Sequence, residues 1–211
     1  VDSTVINEEG IDVLADYLGK GPEVSAWTAK AMGGNVKFED ALAARLALIE
    51  PSRSSIESCI KDRPFQLTPG VEGLVGALHE KGVDVWFVSG GFRIMIEPIA
   101  EALGVPRTNI LANTILFEDD DRGTYKGFDP KEPTSADMGK PRAVREVKAS
   151  KGHKTVVMVG DGATDAQAVA EGAADKFLGF GGVADREAVR EKADWFVYDF
   201  EEVTKVVKGL D

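Results

Sequence analysis

Three short segments carry residue types suited to an anion and a hard cation. Ser89-Gly90-Gly91 and Gly160-Asp161-Gly162-Ala163-Thr164-Asp165 each follow an apolar, β-forming run and precede a helical pattern. In a parallel sheet the C-terminal ends of all strands share one edge, and ligands bind there. Glycines let backbone approach an anion closely, and a following helix N-terminus presents free N–H groups to it. Ser89, Gly90 and Gly91 therefore suit a phosphate cradle, although ordinary strand-to-helix loop chemistry explains the tripeptide equally well. Asp161 and Asp165 share one turn and could converge on a hard cation such as Mg2+, which accepts carboxylates and waters in octahedral array. Helix capping by Asp161 or Thr164 is the plainer alternative for each residue alone. The third segment is Val1-Asp2-Ser3-Thr4-Val5.

A fourth feature is a charge set in an apolar stripe. On a helix over Phe38 to Ile49, steps of 100° place Phe38, Leu42 and Ile49 within about 40° of one another. Arg45 falls about 20° to the other side of Phe38. A buried guanidinium calls for an anionic partner, unless the side chain snorkels to the lobe edge. Lys140 opens a helix, where a cation opposes the helix dipole. Glu9 could hold an ammonium, but as an isolated residue it reads as a solvated loop acid. Cys59 reads as a small core residue, and Asp119 to Asp121 as a solvated turn.

The elements around these segments alternate helix and strand, which is the signature of an α/β fold with a largely parallel, doubly wound Rossmann-like sheet. Strands are expected at Val83–Val88, Thr155–Val159, Lys176–Phe180 and Trp195–Tyr198. A helix is expected to start at Thr68-Pro69 and stop near Gly82. Another should run from an Asp185 cap to Lys192, and a last one over 200–208. Residues 13–71 show only helical patterns, around Leu14, Trp27 and Leu42 and from Pro51-Ser52 toward Ile60, and read as a small helical cap. The cap interrupts a core of residues 1–12 and 72–211. Residues 111–128 read as a β-hairpin outside the main sheet.

Composition narrows the classes. The chain has 211 residues, 43% hydrophobic, enough to bury a substantial core. Its 25 Lys and Arg against 36 Asp and Glu give a net charge of −11, which repels nucleic acid. One cysteine excludes an internal disulfide and fits a reducing compartment. The only two histidines, His79 and His153, are too far apart in sequence for a His-rich zinc site. No apolar run approaches the roughly eighteen residues of a membrane span.

With these segments in order, the chain resembles the phosphoserine phosphatases of the haloacid dehalogenase superfamily, most closely their plant-like members. The family's first motif, Asp-x-Asp-Ser-Thr, is matched by Val1-Asp2-Ser3-Thr4, and its second by Ser89-Gly90-Gly91-Phe92. The third is matched by Lys140 with Gly160 through Asp165. The likeness continues through Glu8-Glu9-Gly10-Ile11-Asp12, Ala31-Met32-Gly33-Gly34 and Arg45-Leu46-Ala47-Leu48-Ile49.

The resemblance implies a Mg2+-dependent hydrolysis of O-phosphoserine to serine and phosphate through an aspartyl-phosphate, in serine biosynthesis. It implies a nucleophilic aspartate directly before Val1, on an apolar strand upstream of the sequence given. Asp2 would be the acid and base. The metal would take the nucleophile, the backbone carbonyl of Asp2 and the side chain of Asp161, with Asp165 steadying those ligands. Glu9, Met32, Gly33, Arg45, Ser89, Gly90, Gly91, Lys140 and Thr164 would bind substrate, with Arg45 on its carboxylate. A cytoplasmic or plastid-stromal protein without nucleic-acid or membrane partners is expected, and a homodimer is compatible with this. Two alternatives stay open: a related phosphatase for another small monoester, and a receiver-like domain that accepts phosphate on aspartate and holds it. Asp2 and the cap speak against the second.

Overall fold

The computed structural model describes residues 1–32 and 36–210, the side chains of 29–32 excepted. Its parallel strands lie in two groups: β1 (Phe87–Phe92) with β2 (Ile110–Asn113), and β5, β6 and β7 (Val157–Gly160, Lys176–Phe180, Trp195–Val197) in that order. Among the described residues β1 pairs only with β2, and β5 only with β6. The two groups nevertheless share hydrophobic clusters. Leu178, Phe180 and Val197 pack with Phe87, Ile96, Ile110 and Phe200, while Val88 packs toward Met158 and Phe177. Phe180 and Phe200 stack with centroids 4.1 Å apart and planes 6° off parallel, fastening the last helix to the sheet.

Helices α1 to α4 (Gly10–Tyr17, Gly21–Met32, Phe38–Ile49, Arg53–Asp62) follow one another with no strand between them among the described residues. Leu14, Val24, Leu42, Leu46, Ile49, Ile56 and Cys59 form a cluster of their own, joined by Phe92 and Ile115 from the α/β part. The apolar stripe of α3 explains its fit, and Ser52 ends the loop before α4 by accepting from the Ser55 N–H at 3.1 Å. The hairpin strands β3 (Ile115–Phe117) and β4 (Tyr125–Phe128) pair antiparallel. Their tip meets α4, since the carbonyls of Gly123 and Arg122 accept from the N–H groups of Arg53 (2.9 Å) and Ser54 (3.2 Å), two donors a helix start leaves open.

Several boundaries differ from the sequence reading, each for a tertiary reason. Leu111 to Asn113 belongs to β2 in the parallel layer, so the hairpin begins only at Ile115. The strand expected at Val83–Val88 begins at Phe87, where pairing with Ile110 begins, and runs on through Ser89-Gly90-Gly91. Thr68-Pro69 does not start a helix: α5 (Val71–Glu80) begins after Gly70, whose φ of 82° places it in the left-handed region. Asp185 does not cap the short α9 (Glu187–Arg190). It pairs with Arg190 and accepts from the Tyr198 hydroxyl instead. The remaining helices are α6 (Arg93–Ala102), α7 (Gly139–Lys151), α8 (Ala163–Ala170) and α10 (Phe200–Lys208).

Candidate active site

The C-terminal ends of β1 and β5 carry the groups expected to do chemistry. The chain from Val1 to Ile6 folds into a tight turn in which the Val1 carbonyl accepts from the N–H groups of Thr4, Val5 and Ile6 at 2.7–3.2 Å. Among the described residues no backbone N–H is bonded to the Asp2 carbonyl. Asp2 points its carboxylate between two backbone segments. One oxygen accepts from the Gly10 N–H at 3.1 Å, at the start of α1. The other lies against Gly91, where an added Cβ would come within 2.9 Å of it and 3.2 Å of the Ser89 hydroxyl. Only glycine allows that approach. The buried Ser89 hydroxyl accepts from the Gly91 N–H at 3.0 Å, which holds the loop in shape.

Across the sheet edge, Asp161 follows β5 and is buried. Its carboxylate accepts from the Thr4 hydroxyl at 2.9 Å and pairs with Arg186, which also donates to the Asp161 backbone carbonyl at 2.8 Å. Asp165 has partners different from those of Asp161. One of its oxygens takes the Lys140 ammonium at 2.6 Å and the other the Gly162 N–H at 3.0 Å, closing the first turn of α8. Helix geometry drives this, because a carboxylate three residues into a helix reaches back to its own N-terminus. Lys140 is thereby held at the start of α7 with its side chain 18% exposed. Thr164 is exposed at the N-terminus of α8.

The helical side contributes Glu9 and Arg45. Glu9 accepts from the Ser3 hydroxyl at 2.5 Å, and Ser3 itself has a φ of 51°, a strained conformation for a side-chain-bearing residue. Burial raises the Glu9 pKa; the Ser3 bond opposes that shift, and the charges of Asp2, Asp161 and Asp12 add to it. Arg45 is half-buried, as its place in the stripe implies, and donates through Nε to the Ala41 carbonyl at 3.1 Å. Burial lowers its pKa, opposed by the charges of Asp12 and Glu9. Phe38, on the same face of the helix as Arg45, lies against Gly90, where a Cβ would come within 3.0 Å of its ring. Met32 was expected to bind substrate, but its side chain lies outside the described residues, as does Gly33.

No group of three or more His, Cys, Asp or Glu forms a ready metal cage among the described residues. One buried carboxylate at Asp161 and one free carbonyl at Asp2 suit Mg2+, which keeps several waters and asks few protein ligands. Sequence reasoning missed Thr4 and Arg186 as partners of Asp161. Arg186 was legible in principle: it follows Gly181-Gly182, the loop at the end of β6, and so returns to the same sheet edge.

Comparison with known proteins identifies the family. Residues 1–172 match the model of the haloacid dehalogenase-like hydrolases. The chloroplastic phosphoserine phosphatase of Arabidopsis thaliana is 50% identical over 211 residues, covering all of this chain and 70% of that one. Phosphoserine phosphatase of Homo sapiens is 45% identical over 203 residues, covering 96% of this chain and 88% of its own. A solved phospho-aspartyl intermediate analogue of phosphoserine phosphatase superposes with a TM-score of 0.79 at 28% identity, over 97% of this chain and 94% of that one. The chain belongs to the haloacid dehalogenase-like hydrolases, and within them to the phosphoserine phosphatase family.

Proposed function

We propose that this protein hydrolyses O-phosphoserine to serine and inorganic phosphate through an aspartyl-phosphate. The observation that carries the reading is the Asp2 carboxylate set against Gly91 and Ser89, with Asp161 and the Lys140–Asp165 pair on the same sheet edge. Phosphoryl transfer needs little from a protein beyond positioning and charge neutralisation. Ser89, the Gly90 and Gly91 backbone and Lys140 surround the phosphoryl group with donors. The aspartate that the family motif places directly before Val1 attacks phosphorus, while Asp2 gives its proton to the leaving serine oxygen as the P–O bond breaks. Asp2 then takes a proton from the water that attacks the aspartyl-phosphate, which returns both aspartates to their starting state. Mg2+, held by that first aspartate, the Asp2 carbonyl and Asp161, would draw charge from the phosphoryl oxygens.

The amino-acid part of the substrate is read by Glu9 and Arg45. Glu9 faces the ammonium, whose arrival relieves the crowding of its charge by Asp2, Asp161 and Asp12. The Arg45 guanidinium takes the carboxylate, and Met32 and Gly33 complete the pocket. No helix among the described residues is long and apolar enough to cross a membrane. The chloroplastic relative supports a plastid setting, with the cytoplasm as the alternative.

Phosphate release from free phosphoserine, with and without Mg2+, tests the reading. Metal-dependent turnover that far exceeds that on phosphoethanolamine is the expected result. Equal rates on both substrates would point to a general small-monoester phosphatase. Stable phosphorylation without turnover would point to a phospho-acceptor domain.

A further inference from the structure

The phosphate loop interrupts the β1–β2 ladder. Val88 pairs with Leu111 and Phe92 with Asn113, so the three residues Ser89, Gly90 and Gly91 stand opposite Ala112 alone. Such a bulge removes backbone groups from their ladder partners, and buried carbonyls do not go unpaired without cost. The Gly90 carbonyl is taken by a side chain: Asn113 Nδ2 donates to it at 2.8 Å. Asn113 is fully buried at the end of β2, and its Oδ1 accepts from the Thr134 hydroxyl at 3.0 Å. The amide orientation follows from the partners, since a carbonyl accepts only and must face the NH2 end.

Thr134 is itself 3% exposed, in the short 3₁₀ turn Pro133–Ser135. That turn is wedged against the start of α7. An added Cβ at Gly139 would come within 2.5 Å of the Pro133 carbonyl and 2.8 Å of the Thr134 Cα. The next residue is Lys140. One continuous path, buried at Asn113, Thr134 and Gly139, thus joins Gly90, in the anion loop, to the helix start that carries the anion-binding ammonium of Lys140.

We infer that Asn113 and Thr134 are positioning residues that set the distance between the Ser89–Gly91 loop and Lys140, and so the size of the phosphoryl site. The inference rests on the phosphatase reading. Neither residue touches the phosphoryl group; Asn113 acts through the Gly90 peptide and Thr134 through Asn113. Because the device acts on the phosphoryl end, its loss affects every monoester alike, unlike a change at the serine-reading residues.

The experiment compares Asn113→Ala, Thr134→Val and Thr134→Ser in the full-length protein. It measures kcat/KM on phosphoserine and phosphoethanolamine, competition by inorganic phosphate, direct calorimetric binding of inorganic phosphate, and Tm. Asn113→Ala and Thr134→Val should lower kcat/KM on both substrates by the same factor, about tenfold or more given the sensitivity of phosphoryl transfer to small misplacement. They should weaken inorganic phosphate in step, at temperatures well below Tm. Thr134→Ser keeps the hydroxyl and should behave as wild type. A merely structural pair would lower Tm and leave phosphate affinity unchanged, which overturns the inference. Should Asn113→Ala fail to fold, unchanged phosphate binding in Thr134→Val overturns it on its own. Wild-type protein that releases no phosphate from either substrate would sink the phosphatase reading instead, and the calorimetric comparison would still decide the positioning role.

Discussion

Arg186 reaches Asp161 through a single Nη1 that donates both to the backbone carbonyl, at 2.8 Å, and to the carboxylate. The carboxylate proposed to hold Mg2+ is therefore already partnered by a cation, and its second oxygen is fixed by Thr4. Arg186 and a metal held by Asp161 would compete for one charge. Arg186→Gln should lower the Mg2+ concentration at the midpoint of a metal-induced rise in Tm. The shift should be only a few-fold, because an ion pair with the arginine 41% exposed is worth about 1 kcal/mol or less. Asp161→Asn should abolish the metal-induced rise altogether. An Asp161→Asn protein that still gains stability from Mg2+ would remove Asp161 from the metal site.

Arg45 separates the two ends of the substrate. If its guanidinium holds the carboxylate, Arg45→Ala removes a charge-assisted pair worth roughly 1.5–3 kcal/mol. That corresponds to about a ten- to hundredfold loss in kcat/KM for phosphoserine. Phosphoethanolamine lacks the carboxylate, so its slow hydrolysis should barely change. Equal proportional losses on both substrates, with a lowered Tm, would make Arg45 a structural residue of the helical lobe.

Glu9 should exchange stability for function. Its carboxyl holds a proton more tightly when folded than its ordinary value of 4.5 implies, because burial and the neighbouring acids disfavour its charge. A raised folded pKa contributes stability that is fully present below the unfolded pKa and is lost as pH rises through the folded one. Glu9→Gln removes that loss. Its Tm should exceed the wild-type value at pH 7–8, and the difference should vanish toward pH 4, while kcat/KM for phosphoserine falls. A variant less stable than wild type by the same amount at both ends of this range would contradict the sign.

Gly160 has no room for a side chain. A Cβ there would lie 2.2 Å from the Asp165 carboxyl carbon. Gly160→Ala must push Asp165 away from Lys140 and the Gly162 N–H, at a cost of about 1–3 kcal/mol for overpacking. Urea unfolding should show that loss, and inorganic phosphate should compete less well because Lys140 is no longer held. Unchanged phosphate competition would mean that Lys140 does not depend on Asp165.

What the sequence determined by itself is what local patterns carry. The stripe Phe38, Leu42, Ile49 predicts α3 to the residue, with Arg45 inside it, because helical period and burial are both read along one segment. Lys176–Phe180 is likewise found as expected, since an apolar run buried on both faces has few other uses. Strand-end glycines and aspartates marked the sheet edge for the same reason: parallel strands place their C-terminal ends together whatever their order. Only the tertiary structure decided which polar groups meet across that edge. Asp165 turned to Lys140, Thr4 and Arg186 closed on Asp161, and Asn113 took the carbonyl that the bulge at Gly90 left open. These partners are 25, 157, 25 and 23 positions apart in sequence. No periodicity spans such separations, and each pairing is settled by the need of a buried polar group for a partner once packing has removed water.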